Sequence, residues 1–174
     1  MSLISPRKVA LVLALSVSMS LLGSRLAAAA DLDACTLMPQ AAVAKIVGND
    51  APIARHSAPI ARDGVTSSSC VFQQLGGSGN TGFITVSSFE SKGAAQARLA
   101  AYGQKITAAG GKVEPETVGG LPASYVVSAG GTGQMFVIDD NVMLGAGVST
   151  QRKGVATSLP DRSRELVTAA LAQL

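Results

Sequence analysis

Four short runs of strand-forming residues follow one another in the second half of the chain, and they constrain the fold more than any other feature. The runs are residues 112–118, 122–129, 134–138 and 142–150. The last three are separated by 130–133 and by 139–141, whose Gly, Asp and Asn residues are typical of hairpin turns. Because strands joined by tight turns run antiparallel, the sequence predicts an antiparallel sheet here.

The first half of the chain predicts one helix and further strands. Residues 40–47 place apolar side chains at helical spacing, and Gly48 is positioned to end the helix. Residues 49–69 contain two prolines and a tandem repeat (51–55 and 58–62), so we predict an edge strand or an extended loop. We also predict strands at residues 70–75 and 82–89.

Two longer helices are predicted at 94–109 and 158–174. In the first, Leu99, Tyr102 and Ile106 recur at helical spacing, and two glycines follow its end. Gly103 inside this helix costs about 1 kcal/mol relative to alanine, so tertiary packing has to hold it. In the second, Ser158 is placed to cap the N-terminus.

The element order predicts an α+β domain with an antiparallel sheet of about six or seven strands. We expect helices packed on one sheet face, and two similar α-then-β halves followed by the C-terminal helix. In the strand at 142–150, alternate residues are aliphatic, and those between them are Met143, Gly145 and Gly147. Because glycine lets a partner approach the backbone, these three residues are a candidate docking face. A loop that covers this face is the alternative.

Residues 1–30 have the order of a secretory signal peptide. Arg7 and Lys8 precede an apolar run at 9–22, and four alanines end the segment. The run is shorter than the roughly 20 residues that a bilayer-spanning helix needs. We predict cleavage after Ala30, a single domain over 31–174, and export to the periplasm or the medium. An uncleaved N-terminal anchor is the alternative.

Cys35 and Cys70 are the only cysteines, and in an exported chain they predict one structural disulfide. A reactive or metal-binding thiol pair is the alternative, but the chain has no C-x-x-C motif and only one histidine, His56. Residues 32–35 also loosely resemble a lipidation motif. The charge of Asp33 and the distance of Cys35 from the apolar run argue against a lipid anchor at Cys35.

Charge and motifs exclude several function classes. The net charge of +3 comes entirely from the first thirty residues, so residues 31–174 are formally neutral. We therefore expect no nucleic-acid binding, which depends on clustered lysine and arginine. Neither a phosphate-binding loop nor a G-x-S-x-G motif is present in the sequence. We expect no catalytic residues, no metal ion and no cofactor.

Three stretches in this order resemble a known group of proteins: residues 35–48, residues 69–72, and residues 118–125 followed by a hairpin at 139–140 and the helix at 166–174. The group comprises secreted bacterial proteins and lipoproteins of unknown function with a Cys-Ser-Leu-Leu helix and a Ser-x-Cys-x-aromatic strand. It is similar in shape to the extracytoplasmic sensor domain of mycobacterial serine/threonine kinases. The resemblance covers most of residues 33–174. It implies an α+β fold with a Cys35–Cys70 bridge and no catalytic residues.

We therefore expect an exported, non-enzymatic binding or accessory module of the cell envelope or medium. Its partner would be an unknown protein or small ligand, with no membrane insertion after processing. Two alternatives belong to other classes. A small exported hydrolase or transferase would need His56, Asp63 and a serine in one cluster. A secreted inhibitor would insert residues 52–62 as a loop into a protease.

Overall fold

The structure is a computed structural model that describes residues 32–48, 52–74, 79–152 and 155–174, with the backbone alone at 52, 151–152 and 155–156. The predicted signal peptide at 1–30 lies outside the described residues. The helices are α1 (Gln40–Val47), α2 (Lys92–Ala108) and α3 (Pro160–Leu171). The strands are β1 (Pro52–Arg62), β2 (Val65–Gln74), β3 (Asn80–Ser88), β4 (Lys112–Val118), β5 (Leu121–Val127), β6 (Gly133–Asp139), β7 (Val142–Arg152) and β8 (Val155–Ser158).

All eight strands form one antiparallel sheet in the order β1-β2-β3-β7-β6-β5-β4, and β8 pairs with the end of β7. The sheet consists of two meanders, β1–β3 and β4–β7, which join where β3 pairs with β7. The predicted antiparallel α+β fold is confirmed, and so is the edge strand within residues 49–69, which is β1. The similarity of the two halves stays a prediction.

Helices α1 and α3 pack on one side of the sheet, which we call the first face. Val43 and Val47 of α1 and Leu166 and Val167 of α3 are fully buried there. Because strand side chains alternate between faces, the sheet contributes every second residue to this core. Its buried apolar side chains from the strands include Phe72, Ile84, Val86, Met135, Val137, Leu144 and Val148.

The C-terminal end of α1 is fixed by polar contacts as well as by packing. Gly48 takes a left-handed conformation with φ of 77°, which favours glycine, and so ends the helix as predicted. The Val47 carbonyl accepts hydrogen bonds from Asn80 Nδ2 and Arg162 Nη1, each at 2.6 Å. These bonds link α1 to β3 and α3, so the helix ends where its last carbonyls find partners.

Helix α2 lies on the opposite side of the sheet, the second face, so the prediction that all helices share one face is wrong. Ala95 of α2 packs with Phe89 and Ile138 in a second, smaller core. The ring of Tyr102 meets Phe136 edge-to-face at 5.5 Å between centroids. Because α1 and α3 already fill the first face, the apolar side of α2 has to be buried on the second. None of the described helices is long and apolar enough to cross a membrane.

Candidate functional site

The Cys35–Cys70 disulfide is present, as predicted, with 5.0 Å between the two Cα atoms. It joins the segment before α1 to the interior of β2, where Cys70 is fully buried. Since both sulfur atoms are bonded to each other, the reactive or metal-binding thiol pair is wrong. A thioether-linked lipid would need the Cys35 sulfur that this bridge uses.

A polar clasp beside the disulfide ties the same segment to β1. Asp33 Oδ1 lies 2.9 Å from His56 Nε2 and also accepts a hydrogen bond from the Cys35 amide at 2.8 Å. The Ala34 amide donates a hydrogen bond to Ser68 Oγ at 3.0 Å, and Ser68 lies in β2, the strand that pairs with β1. His56 is 41% exposed and Asp33 26%, so this ion pair, formed when His56 is protonated, is partly solvated. The arrangement holds the N-terminal segment on the first face.

The residues of the hydrolase or transferase hypothesis are not brought together. His56 pairs with Asp33, whereas Asp63 forms an exposed ion pair with Arg62 at 3.3 Å. The nearest serine on the same face of β2, Ser68, accepts from the Ala34 amide and donates to the Ser57 carbonyl. Its hydroxyl therefore serves the polar clasp. Within the described residues there is no group of three or more His, Cys, Asp or Glu residues arranged to hold a metal ion.

The candidate docking face of Met143, Gly145 and Gly147 lies on the second face in the middle of the sheet. Gly145 and Gly147 are buried and Met143 is half-buried. A Cβ atom at Gly147 would collide with the ring of Phe83, and one at Gly145 would collide with Thr85 and Gln134. Neighbouring side chains therefore lie over the two glycines, instead of open backbone. Whether a partner binds this face stays a prediction.

The cationic residues of the C-terminal helix are engaged within the fold. Arg164 forms a hydrogen-bonded ion pair with Glu116 of β4 at 2.9 Å and a second with Asp161 at 3.2 Å. The hydrogen bond and charge of Glu116 raise the pKa of Arg164 above its usual value. Arg162 donates to the Val47 carbonyl. These contacts tie α3 to β4 and α1.

A concave feature lies between α2 and the second face of β4–β6. It is an open groove of about 850 Å³, here called the α2 groove. Its apolar walls are formed by Leu99, Gly103, Val113, Pro122 and Ile138. The volume falls within the roughly 300–1,000 Å³ that is usual for small-molecule sites.

The residues of α2 that are fully buried against the sheet are small, which leaves room for the α2 groove beside them. Ala95 and Gly103 are the only residues of α2 that are buried. A Cβ atom at Gly103 would lie 3.4 Å from a methyl group of Val113, so the absence of a side chain sets the width of the groove here. Val113 is itself 40% exposed. The helix leaves apolar surface uncovered on both walls, which predicts a ligand rather than a closed core.

Polar groups lie at the two ends of the α2 groove. Lys92 and Gln96 are at the N-terminal end of α2, and Gln104 and Thr107 are towards its C-terminal end. Lys92 is the one charged residue among the described residues of the lining. The first turn of α2 contains no acidic residue, and the positive end of its helix dipole adds to the charge of Lys92. The groove thus has apolar walls and one positive end.

Sequence reasoning missed the α2 groove. Its helical wall was available as a signal, because Lys92, Gln96, Leu99, Gly103 and Thr107 recur at helical spacing. Gly103 lies inside this stripe although glycine lowers helix stability. Such a glycine indicates that another element packs close to the helix or that the helix surface is open at this point. The opposite wall comes from strands further along the chain.

Comparison with known proteins adds one fold-level similarity. No family model and no curated protein matches the chain. The structure is similar to the crystal structure of the extracellular domain of PknH from Mycobacterium tuberculosis, with a TM-score of 0.49 and 10% sequence identity. The alignment covers 78% of this chain and 91% of that one. At this identity and TM-score the similarity carries no information about function.

Proposed function

We propose that this protein is an exported, non-enzymatic binding module whose α2 groove holds one extended acyl chain with an anionic head group. The observation that carries this proposal is the groove itself, with walls of Leu99, Gly103, Val113, Pro122 and Ile138 and a lysine at one end. Apolar sites with few polar groups bind apolar ligands and orient them by those groups.

The length of the α2 groove matches a long acyl chain. Its lining runs along α2 from Lys92 to Thr107, which corresponds to about 22 Å of helix at the usual rise per residue. A carbon–carbon bond of about 1.5 Å advances an extended chain by about 1.25 Å. About eighteen carbons therefore span the groove from end to end.

The charge distribution favours an anionic head group at Lys92. The lining, within the part of the chain that the structure describes, contains that one cation and no carboxylate, so a carboxylate or phosphate at this end meets no acidic lining residue there to repel it. Gln96 offers a second donor one turn further along α2. A cationic or neutral head group would gain neither the ion pair nor the helix dipole.

Export and the absence of catalysis belong to the same proposal. The disulfide is typical of proteins that fold outside the cytosol, and residues 1–30 have the composition of a signal peptide. The catalytic alternative loses support because His56, Asp63 and a serine do not meet. The inhibitor alternative loses support because residues 52–62 form β1, paired along its length with β2.

Calorimetric titration with saturated fatty acids tests the proposed ligand. Each added methylene contributes about 0.8 kcal/mol when buried, so we expect affinity to rise about fourfold per methylene and to level off near eighteen carbons. Lys92→Gln should weaken palmitate binding but leave hexadecanol unchanged. Lys105→Gln is the matched control, because Lys105 is an exposed lysine of the same helix outside the lining.

Gly103 provides the steric test. Gly103→Leu should fill the α2 groove and reduce palmitate affinity at least tenfold, whereas Gly103→Ala adds only a methyl group in ordinary contact with Val113. Both substitutions raise helix propensity, so thermal unfolding should show an intact fold. The proposal is wrong if affinity does not depend on chain length, or if Gly103→Leu binds palmitate as wild type does.

A further inference from the structure

The tandem repeat of β1 presents its two copies on the same side of the sheet. Its isoleucines and arginines are seven residues apart: Ile53 with Ile60, and Arg55 with Arg62. In a regular strand, an odd spacing would place the copies on opposite faces. The pairing of β1 with β2 shifts register between Ser57 and Ile60, so that one extra residue is accommodated in β1. This bulge restores the phase of the second copy.

All four repeated side chains consequently lie on the second face. Arg55 of β1 lies opposite Val71 of β2. Val71 in turn lies opposite Phe83 of β3, and Phe83 lies opposite Gly147 of β7, so all four residues belong to one row across the sheet. Gly147 faces away from the α1 and α3 core, so the row that contains Arg55 does too. We call the set formed by Ile53, Arg55, Ile60 and Arg62 the β1 surface.

The β1 surface is open to solvent. Ile60 is 64% exposed and Ile53 38%, which makes them two of the exposed large hydrophobic residues of the described chain. Both arginines are exposed as well. The helix of the second face, α2, packs on β4–β7, and the adjoining rows of β2 and β3 are half-buried serines, threonines and apolar residues. The result is an exposed surface with two arginines and two isoleucines at the edge of the sheet.

We propose that the β1 surface docks the protein on an anionic lipid membrane, a role that goes beyond the ligand-binding function proposed above. Arginines near a membrane surface are attracted to anionic head groups, and isoleucines between them can enter the interface. The contact is peripheral, because the β1 surface reaches the membrane only at its head-group interface. Asp63 opposes this attraction locally, because its carboxylate Oδ2 lies 3.3 Å from Arg62 Nε and offsets part of the positive charge.

The observations favour docking on a membrane through the sheet face over addition of a partner strand to the open edge. Although β1 is an edge strand, Pro59 offers no amide for pairing and the bulge interrupts the register. Natural proteins use both devices to prevent strand addition. The repeated side chains project from the sheet face rather than along the open edge, so recognition by the face is the arrangement that the fold permits.

Vesicle co-sedimentation tests the proposal. The protein is recovered from an exporting host, and its N-terminus is determined by intact-mass analysis. Vesicles of phosphatidylglycerol and phosphatidylcholine are compared with phosphatidylcholine alone, at low and high salt. We expect stronger binding to the anionic vesicles, and a loss of about fivefold for Arg55→Gln. Asp63→Asn should strengthen binding. Lys45→Gln, which removes an exposed cation from α1 on the first face, is the matched control and should change binding less than twofold.

Ile60→Ser separates the membrane from other polyanions. It should weaken binding to vesicles without changing the salt dependence, because it removes apolar contact and no charge. Equal binding to neutral and anionic vesicles would overturn the proposal, as would wild-type binding by Arg55→Gln/Arg62→Gln. Binding to dextran sulfate as tight as to vesicles, insensitive to Ile60→Ser, would also overturn it. Gly103→Leu should bind vesicles normally, so the outcome is independent of the α2 groove.

Discussion

The Cys35–Cys70 disulfide should contribute a large share of the stability of this fold. It closes a loop with a sequence separation of 35 residues. The chain-entropy relation gives about 4 kcal/mol at 25 °C for a loop of this length. Because small domains have a free energy of unfolding of about 5–15 kcal/mol, loss of the bridge should remove a quarter or more of it.

Urea unfolding followed by circular dichroism measures this contribution in two ways. Wild-type protein unfolded in the presence of a reductant loses the crosslink and keeps both sulfur atoms. The variant Cys35→Ala/Cys70→Ala also loses the sulfur packing around the buried Cys70, which adds about 1 kcal/mol. With a urea dependence of about 2 kcal/mol per molar, the midpoint should fall by about 2 M on reduction and slightly further in the variant.

The reasoning fails if reduction moves the midpoint by less than about 0.5 M, equivalent to about 1 kcal/mol. Such a result would mean that the contacts of Asp33 with His56 and of Ala34 with Ser68 order the segment without the bridge. Their combined removal in Asp33→Ala/Ser68→Ala, with the disulfide intact, is the control, because it tests the clasp alone.

Two packing predictions follow from buried contacts on the first face, and thermal and urea unfolding check both. Ser163 is fully buried, accepts from the Val148 amide at 2.9 Å and donates to the Leu159 carbonyl at 2.8 Å, so Ser163→Ala should cost about 1–3 kcal/mol; an unchanged midpoint would contradict this. Gly82→Ala should cost a similar amount, because its Cβ would collide with a methyl group of Val47. Val47→Ala should partly rescue Gly82→Ala, and strictly additive losses would refute this steric account.

Local patterns predicted the elements whose ends depend on their own residues. Helix α1 has its predicted bounds because its apolar spacing and Gly48 define both ends. The same is true of β4, which lies between turn-forming glycines. In contrast, β2 begins at Val65 rather than at Cys70. Its first residues are mainly serine and threonine, and they become a strand only because β1 and β3 pair with them.

The arrangement of the second face was beyond the reach of sequence patterns. The sheet face on which α2 packs depends on how much of the first face α1 and α3 already cover. No local sequence pattern encodes that coverage. The α2 groove combines Gly103 with Val113 and Pro122, and the β1 surface depends on a bulge that only the pairing with β2 reveals. The glycines of β7 were recognised as unusual, but the side chains that cover them come from β3 and β6.

The pairing of β3 with β7 determines when a growing or shortened chain can complete its sheet. Thr85 and Gly145, joined across this pairing, are 60 residues apart in sequence. Until β7 has been synthesised, β3 presents an unpaired edge, and such edges favour intermolecular association. Chains that stop before Val142 should therefore aggregate rather than persist as a stable half-domain, which makes the last fifth of the polypeptide a requirement for solubility as well as for shape.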